Sequence, residues 1–134
     1  MSVTYLTGYY DDGSTPAPGL ELPVYAVLRL ARGRQNTIRL RVLRPDGTPY
    51  PVAGSTLTLT AKETTGDLTK VLTKTASADP TRGSEWAVFT VSASDLTNVP
   101  ARRYVYDVAL TTGAGGTYTL VGTSALVVAA SVGP

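Results

Sequence analysis

The stretch from residue 104 to residue 110 most constrains what this chain can fold into. Tyr104, Tyr106, Val108 and Leu110 share one side at a period of two, and the residues between them share the other. This alternation predicts a β-strand, because successive side chains of a strand point to opposite faces. A helix would need apolar residues three and four positions apart, and the stretch lacks that spacing. We therefore predict a central strand with its tyrosines turned inward.

Seven further segments have the same extended character, and turns rich in glycine, proline and aspartate separate them. They cover residues 24–30, 37–43, 56–62, 69–75, 85–91, 117–121 and 124–132. About seven to nine short strands at this spacing are typical of an all-β sandwich. In segment 37–43 we expect Ile38, Leu40 and Val42 to face the core. In segment 85–91 both parities carry large apolar residues, so the sequence leaves the buried set open.

The first 23 residues differ from the remainder, which we take as one sandwich domain over residues 24–134. Three prolines and two glycines between residues 13 and 23 favour an extended, irregular path. We predict an N-terminal arm that carries the candidate partner-binding residues Tyr5, Tyr9 and Tyr10. Three fates remain open for this arm: an edge strand on its own sandwich, docking on a neighbouring subunit, or disorder. Tyrosine favours docking, because it is enriched at protein interfaces.

Composition disfavours most enzyme classes. The 134 residues include no histidine and no cysteine, which removes the commonest general base and every thiolate ligand. Hydrolysis by paired carboxylates would survive, but no pair among the ten acidic residues is marked out. No Ser-x-x-Lys or Gly-x-Ser-x-Gly motif offers a serine nucleophile. We expect a protein that is not an enzyme and that needs no cofactor.

Metal and membrane binding are also not expected. Asp11, Asp12 and Ser14 offer oxygen ligands, but they lack the alternation and distal glutamate of a calcium loop, so we predict a simple turn. The longest apolar run, residues 125–130, is far shorter than the ~20 residues that span a bilayer. The first five residues lack the features of a signal peptide. We expect neither export nor membrane anchoring.

Six arginines with no acidic residue among them lie between residues 29 and 44: Arg29, Arg32, Arg34, Arg39, Arg41 and Arg44. Arg39 and Arg41 would share one face of a strand and are our further candidate partner-binding residues. The stripe is either a solvated face neutralised by Glu63, Glu85 or Asp107, or a contact for an acidic protein. Nucleic acid is disfavoured, because the net charge is only +2 and no aromatic residues interleave the arginines.

Three aromatic residues have two possible roles. Tyr104, Tyr106 and Trp86 would form a sugar-binding platform if they were exposed together. Tyrosines of a sandwich are more often core and corner residues, with the hydroxyl bonded to nearby backbone. Asp107 points to the opposite face from the two tyrosines, and we expect it to pair with an arginine or lysine across the sheet.

The order of these features resembles a phage module. The matching segments are residues 32–40, with an Arg-Gly turn before an alternating strand; residues 46–57, with Asp-Gly, proline and a strand; residues 90–96 and 104–108, with an aspartate-capped turn before Tyr-x-Tyr-Asp; and residues 117–132, a strand pair around Gly122. Together they resemble the immunoglobulin-like amino-terminal domain of the phage baseplate upper protein and related virion proteins.

The resemblance implies an immunoglobulin-like antiparallel sandwich that serves as a structural part of a tailed-phage virion, in the tail or on the head. Implied partners are other virion proteins of the tail or capsid, and we expect a homo-oligomer or many copies in the particle. From composition and charge, we expect neither nucleic acid nor membrane as a partner. The expected location is the virion, after assembly in the host cytoplasm. A carbohydrate-binding or host-adhesion module is the alternative that the aromatic and hydroxyl-rich composition suggests.

Overall fold

The structure, a computed structural model, describes residues 2–79 and 81–130, without the side chain of residue 2. This part of the chain contains nine strands and one short 3₁₀ turn, Ser94–Leu96. The strands are β1 (Ser2–Tyr9), β2 (Leu28–Ala31), β3 (Asn36–Leu43), β4 (Thr56–Lys62), β5 (Leu72–Thr75), β6 (Ser77–Ala78), β7 (Trp86–Val91), β8 (Arg103–Thr111) and β9 (Thr117–Ala129).

The strands form two sheets that pack face to face. One sheet has four strands in the order β1-β3-β7-β6, and the other has five in the order β2-β9-β8-β4-β5. The predicted all-β sandwich is therefore confirmed. Both sheets are mixed rather than purely antiparallel, because β1 runs parallel to β3 and β2 runs parallel to β9.

Alternating residues of both sheets fill the core. Ile38, Leu40 and Val42 of β3 are fully buried, as their spacing predicts. From the opposite sheet, Tyr104 and Tyr106 of β8 point inward and are each only 1% exposed. Burial of large apolar side chains is the main term that holds such a sandwich together.

The hydroxyls of the two buried tyrosines are both bonded to backbone. Tyr104 donates to the carbonyl of Pro100 at 2.7 Å, which is the corner contact expected from the sequence. Tyr106 donates to the carbonyl of Ala26 at 2.6 Å and so connects β8 to the segment before β2. Core placement is thus confirmed for both, since a buried hydroxyl needs a partner.

The predicted arm begins with a strand of the sandwich. Residues 2–9 form β1 at the edge of the four-stranded sheet, where Leu6 is 7% exposed and packs into the core. Of the three fates considered for the arm, the structure therefore shows the first. The boundary at residue 23 does not separate an arm from a sandwich, and only residues 10–27 take an irregular path.

Three other strands differ from their predicted bounds by more than one residue. β2 begins at Leu28 rather than at residue 24, and β5 begins at Leu72 rather than at residue 69. The two predicted final strands are one strand, β9, with register shifts opposite residues 106–109. Its predicted end at residue 132 lies outside the described residues.

β7 buries only one of the two sets of apolar residues in segment 85–91. Phe89 and Val91 are fully buried, whereas Trp86 and Val88 are partly exposed. β7 thus turns its tryptophan away from the core and toward the outer face of the four-stranded sheet.

Candidate interaction surface

The outer face of the four-stranded sheet brings together residues that are far apart in sequence. The strand register places Tyr5 of β1 beside Arg39 of β3, and Arg39 beside Val88 of β7. One row further along, Arg41 lies beside Trp86. We call this surface the outer face. It combines arginine and aromatic side chains, the residue types that dominate protein interfaces.

Arg82 is held at the centre of this aromatic group. Its guanidinium carbon lies 4.9 Å from the centroid of the Tyr5 ring and 5.2 Å from that of the Trp86 ring. Its Nη2 also donates to the Tyr5 hydroxyl at 2.8 Å. The two rings meet edge to face with centroids 6.2 Å apart. A cation fixed by two rings in this way loses little conformational freedom when it binds a partner.

The two strand arginines are already paired. Arg39 contacts the carboxylate of Asp79, and Nε of Arg41 lies 3.7 Å from Oε2 of Glu85. The Glu85 contact is one of the neutralising pairs expected from the sequence. For Asp79, the hydroxyl of Thr81 and then Arg39 hold the pKa of the carboxyl below its usual range.

These pairs leave Arg82 as the distinctive charge of the outer face. Within the described residues it forms no ion pair, and its side chain is exposed. The arrangement suits a carboxylate or another acidic group from outside the molecule, because a guanidinium presents several donors in one plane. Arg82 could not be predicted from the sequence, because it lies in a loop with no periodic pattern.

The five predicted partner-binding residues do not all lie together. Tyr5, Arg39 and Arg41 are on the outer face, and the alternation of β1 places Tyr9 at its end. Tyr10 turns away from that face. Its ring stacks on Tyr50 at a centroid distance of 4.2 Å and meets Tyr118 edge to face at 4.7 Å.

Two of the four remaining arginines of the stripe are engaged within the molecule. Arg44 pairs with Asp12 at 3.3 Å, and Arg32 donates to the carbonyls of Leu96 and Thr97. For these arginines, contacts within the molecule take the place of contacts with an acidic partner protein.

The aromatic trio considered for sugar binding is not one platform. Tyr104 and Tyr106 are core residues, while Trp86 lies on the opposite sheet beside Tyr5. The prediction that Asp107 forms an ion pair across the sheet is wrong. Its register partner in β4 is Thr60, and across residues 2–79 and 81–130 no basic group pairs with it.

The acidic turn at residues 11–14 has the geometry that the sequence predicts. The carboxylate of Asp11 accepts the amide of Gly13 at 3.2 Å, and that of Asp12 accepts the amide of Ser14 at 2.9 Å. In the described part of the chain, no group of three or more acidic side chains is placed to hold a metal ion. That same part includes no helix long and apolar enough to cross a membrane.

The fold and this surface define a nine-stranded mixed β-sandwich with an arginine-aromatic outer face. Among solved structures, the N-terminal domain of phage TP901-1 ORF48 is similar, with a TM-score of 0.60 and 12% identity over 96% of this chain and 99% of that one. The cysteine protease inhibitor EhICP2 from Entamoeba histolytica aligns with a TM-score of 0.39 and 12% identity, over 92% of this chain and 96% of that one.

No family model and no curated protein matches the sequence. At 12% identity, the similarity to the phage domain shows a shared fold.

Proposed function

We propose that this chain is a non-enzymatic structural protein of a tailed-phage virion, and that it docks on neighbouring virion proteins through its outer face. One observation supports the proposal, and it agrees with one expectation. The fold is shared along nearly the whole chain with a phage domain, and the order of turns and strands led us to expect a virion protein of the baseplate type. The same proposal places the mature protein in the virion and its assembly in the host cytoplasm.

The outer face, rather than a free arm, supplies the contact in this proposal. Residues 2–9 are part of the sheet, so their exposed tyrosine is presented on a rigid element. Tyr5 is 54% exposed although it contacts both Arg82 and Trp86. A rigid aromatic side chain provides contact area at low entropic cost.

The chemistry of the face favours an acidic partner surface. Arg82 is the observation that carries this step, because its charge is exposed and its position is fixed by two rings. A carboxylate that binds it would be partly shielded from water by Tyr5 and Trp86, which strengthens a charge-assisted hydrogen bond.

The first experiment locates the protein in purified phage particles by antibody-gold electron microscopy. Gold at regular positions on the tail or the head supports a structural role and identifies the part of the virion concerned. Unlabelled particles would refute the proposal, provided that the same antibody detects the native protein in solution.

A matched pair of variants tests the surface itself. Arg82→Ala removes the fixed cation of the outer face, whereas Arg103→Ala removes an exposed arginine of the opposite sheet. We expect Arg82→Ala to reduce incorporation into particles while the protein stays folded, because losing its ring contacts costs only about 1 kcal/mol. We expect Arg103→Ala to incorporate like the wild type. Equal incorporation of both variants would exclude the outer face as the docking surface.

A further inference from the structure

β1 is an unprotected sheet edge. It lies at the end of the four-stranded sheet, and within the described residues only β3 pairs with it. Its eight residues, SVTYLTGY, include no charged residue and no proline. An edge strand of this length and composition is a ready template for another strand, because its outer amides and carbonyls have no partner in the sheet.

The other three edges are protected by length or by charge. β6 has two residues, which is too short to template a strand. β2 and β5 have four residues each, and they carry Arg29 and Lys74. Short edges and edge charges are the devices by which proteins prevent unwanted pairing. β1 alone among the four edges has neither device.

The backbone of β1 presents a regular set of donors and acceptors. The amide of Tyr10, directly after β1, donates to Leu43 of β3 at 2.8 Å. Amides and carbonyls of a strand alternate in direction, so the odd-numbered residues of β1 direct theirs away from β3. These are Val3, Tyr5, Thr7 and Tyr9. Val3 and Tyr5 are 41% and 54% exposed, and Thr7 is exposed as well, whereas Tyr9 at the end of the strand is half-buried.

We propose that β1 pairs antiparallel with β1 of a second copy of this chain, around a two-fold axis perpendicular to the sheet. The two four-stranded sheets would then become one sheet of eight strands. A second copy suits this edge because the strand is uncharged: self-pairing places no like charges opposite one another, the usual obstacle to homotypic contact.

The symmetry restricts the register. A perpendicular two-fold axis turns both outer faces to the same side, so odd-numbered residues lie opposite odd-numbered residues. With the axis at Tyr5, Val3 lies opposite Thr7. With the axis at Leu6, Tyr5 lies opposite Thr7, and Val3 lies opposite Tyr9. In each case about seven residues of each strand are paired.

The contact is small, and its affinity follows from that. A pair of strand edges buries less than the ~800 Å² per partner of a standard stable interface. We therefore expect a reversible dimer that forms as concentration rises, and that forms readily where many copies are held close together. This inference does not depend on the proposed role in the virion.

Single-cysteine variants test the pairing directly, because the chain contains no cysteine of its own. Val3→Cys, Tyr5→Cys, Thr7→Cys and Tyr9→Cys are each oxidised alone and in pairwise mixtures of purified protein. Residues directly opposite in an antiparallel pair have Cα atoms about 4.5–5.5 Å apart, which permits a disulfide. The cross-linked species are then separated on a non-reducing gel.

The pattern of cross-links decides the result. Two patterns support the proposal. With the axis at Tyr5, Tyr5→Cys cross-links with itself, and the mixture of Val3→Cys and Thr7→Cys also cross-links. With the axis at Leu6, cross-links form in the mixture of Tyr5→Cys and Thr7→Cys and in that of Val3→Cys and Tyr9→Cys. Equal cross-linking of every variant with itself would indicate parallel stacking and overturn the two-fold pairing. Absence of cross-linking in all mixtures, at millimolar protein, would overturn the proposal altogether.

A second measurement avoids the cysteines. Thr7→Lys places a charge on the free edge, and Thr90→Lys places the same charge on the same outer face at β7, away from the edge. By sedimentation equilibrium, we expect the dimer dissociation constant to rise about fivefold or more for Thr7→Lys. For Thr90→Lys we expect a change within about twofold. Equal dissociation constants for the two variants would contradict pairing through β1.

Discussion

The hydroxyl of Tyr106 provides a direct test of how the segment before β2 is held. It donates to the carbonyl of Ala26 at 2.6 Å, and the tyrosine is only 1% exposed. Tyr106→Phe keeps the ring and removes the donor, so that the Ala26 carbonyl loses its partner. Because leaving a buried acceptor unpaired costs about 1–3 kcal/mol, and Ala26 is half-buried, we expect a loss of about 1–2 kcal/mol.

This free energy corresponds to a measurable shift in melting temperature. At about 2.1 cal/mol/K per residue, unfolding 134 residues carries an entropy of about 0.28 kcal/mol/K. A loss of 1–2 kcal/mol therefore lowers the melting temperature by about 4–7 °C. Tyr25→Phe is the matched control, since Tyr25 adjoins Ala26 but is 67% exposed, and it should change stability by less than about 0.5 kcal/mol.

The same residue predicts a dependence on alkaline pH. Burial raises the pKa of Tyr106 to about 12 from its ordinary value of 10.0. The folded state thus holds this proton more tightly than the unfolded state. The contribution to stability is complete below pH 10 and is lost as the pH rises from 10 to 12. Tyr106→Phe should lose less stability than the wild type over this interval.

Urea unfolding of the wild type and both variants, at pH 7 and from pH 9 to pH 12, measures the free energies of unfolding, and thermal scans at pH 7 measure the melting temperatures. The pH profile of Tyr25→Phe should follow that of the wild type, because the buried hydroxyl is unchanged. If Tyr106→Phe were as stable as Tyr25→Phe at pH 7, or if the wild-type and Tyr106→Phe profiles were parallel above pH 10, the reasoning would be refuted.

Three further changes test other parts of the sandwich. Gly8→Ala would place a Cβ 2.9 Å from Cβ of Leu120, so β1 has to move, and we expect urea unfolding to show a loss of about 1–3 kcal/mol. Phe89→Ala opens a cavity in a fully buried site and should cost about 3–5 kcal/mol in the same assay, which would confirm the buried parity of β7. Asp95→Ala removes the carboxylate that accepts the Ser92 amide at 2.8 Å, and should cost ~1 kcal/mol at pH 7. The hydrogen bond from the Ser92 amide, and after it that from Lys74, lowers the pKa of the Asp95 carboxyl from its ordinary value of 3.8. The difference in stability between Asp95→Ala and the wild type should therefore disappear as the pH falls below that value, which acid unfolding measures.

The strands with strict alternation were predictable from sequence. β3, β4 and β8 have inner positions that are apolar and outer positions that are mostly polar, and their burial follows that pattern. The corner bond of Tyr104 was also predictable, because a tyrosine at a sandwich corner needs a nearby acceptor for its hydroxyl.

β1 was harder to predict because its support is not local. Its alternation is weak, since Gly8 stands at an inner position and provides no side chain to bury. Its partner is β3, to which it runs parallel, with Ser2 opposite Asn36. A parallel pairing leaves no hairpin signal in the sequence, and the prolines that follow favour an irregular path.

The arginine-aromatic cluster could not be predicted for the same reason. Tyr5, Arg82 and Trp86 come from a strand edge, a loop and a central strand, and only the register of the sheet brings them together. The sequence indicated Tyr5 as a candidate by its residue type, and Arg39 by its place in the arginine stripe on one strand face. It contained no signal for Arg82, whose role depends on the two rings beside it.

Tyr5 belongs both to the outer face, through its side chain, and to the edge of β1, through its backbone. The ring of Tyr5 lies on the outer face against Arg82, whereas its amide and carbonyl point along the sheet toward the free edge. Pairing through β1 therefore does not cover Arg82. It would instead place two copies of the cation on one side of a single eight-stranded sheet. A partner with repeated acidic sites would then bind both copies at once, and the second contact would form at high effective concentration. A small edge contact and a single fixed arginine, each weak alone, would in this way support one firm attachment.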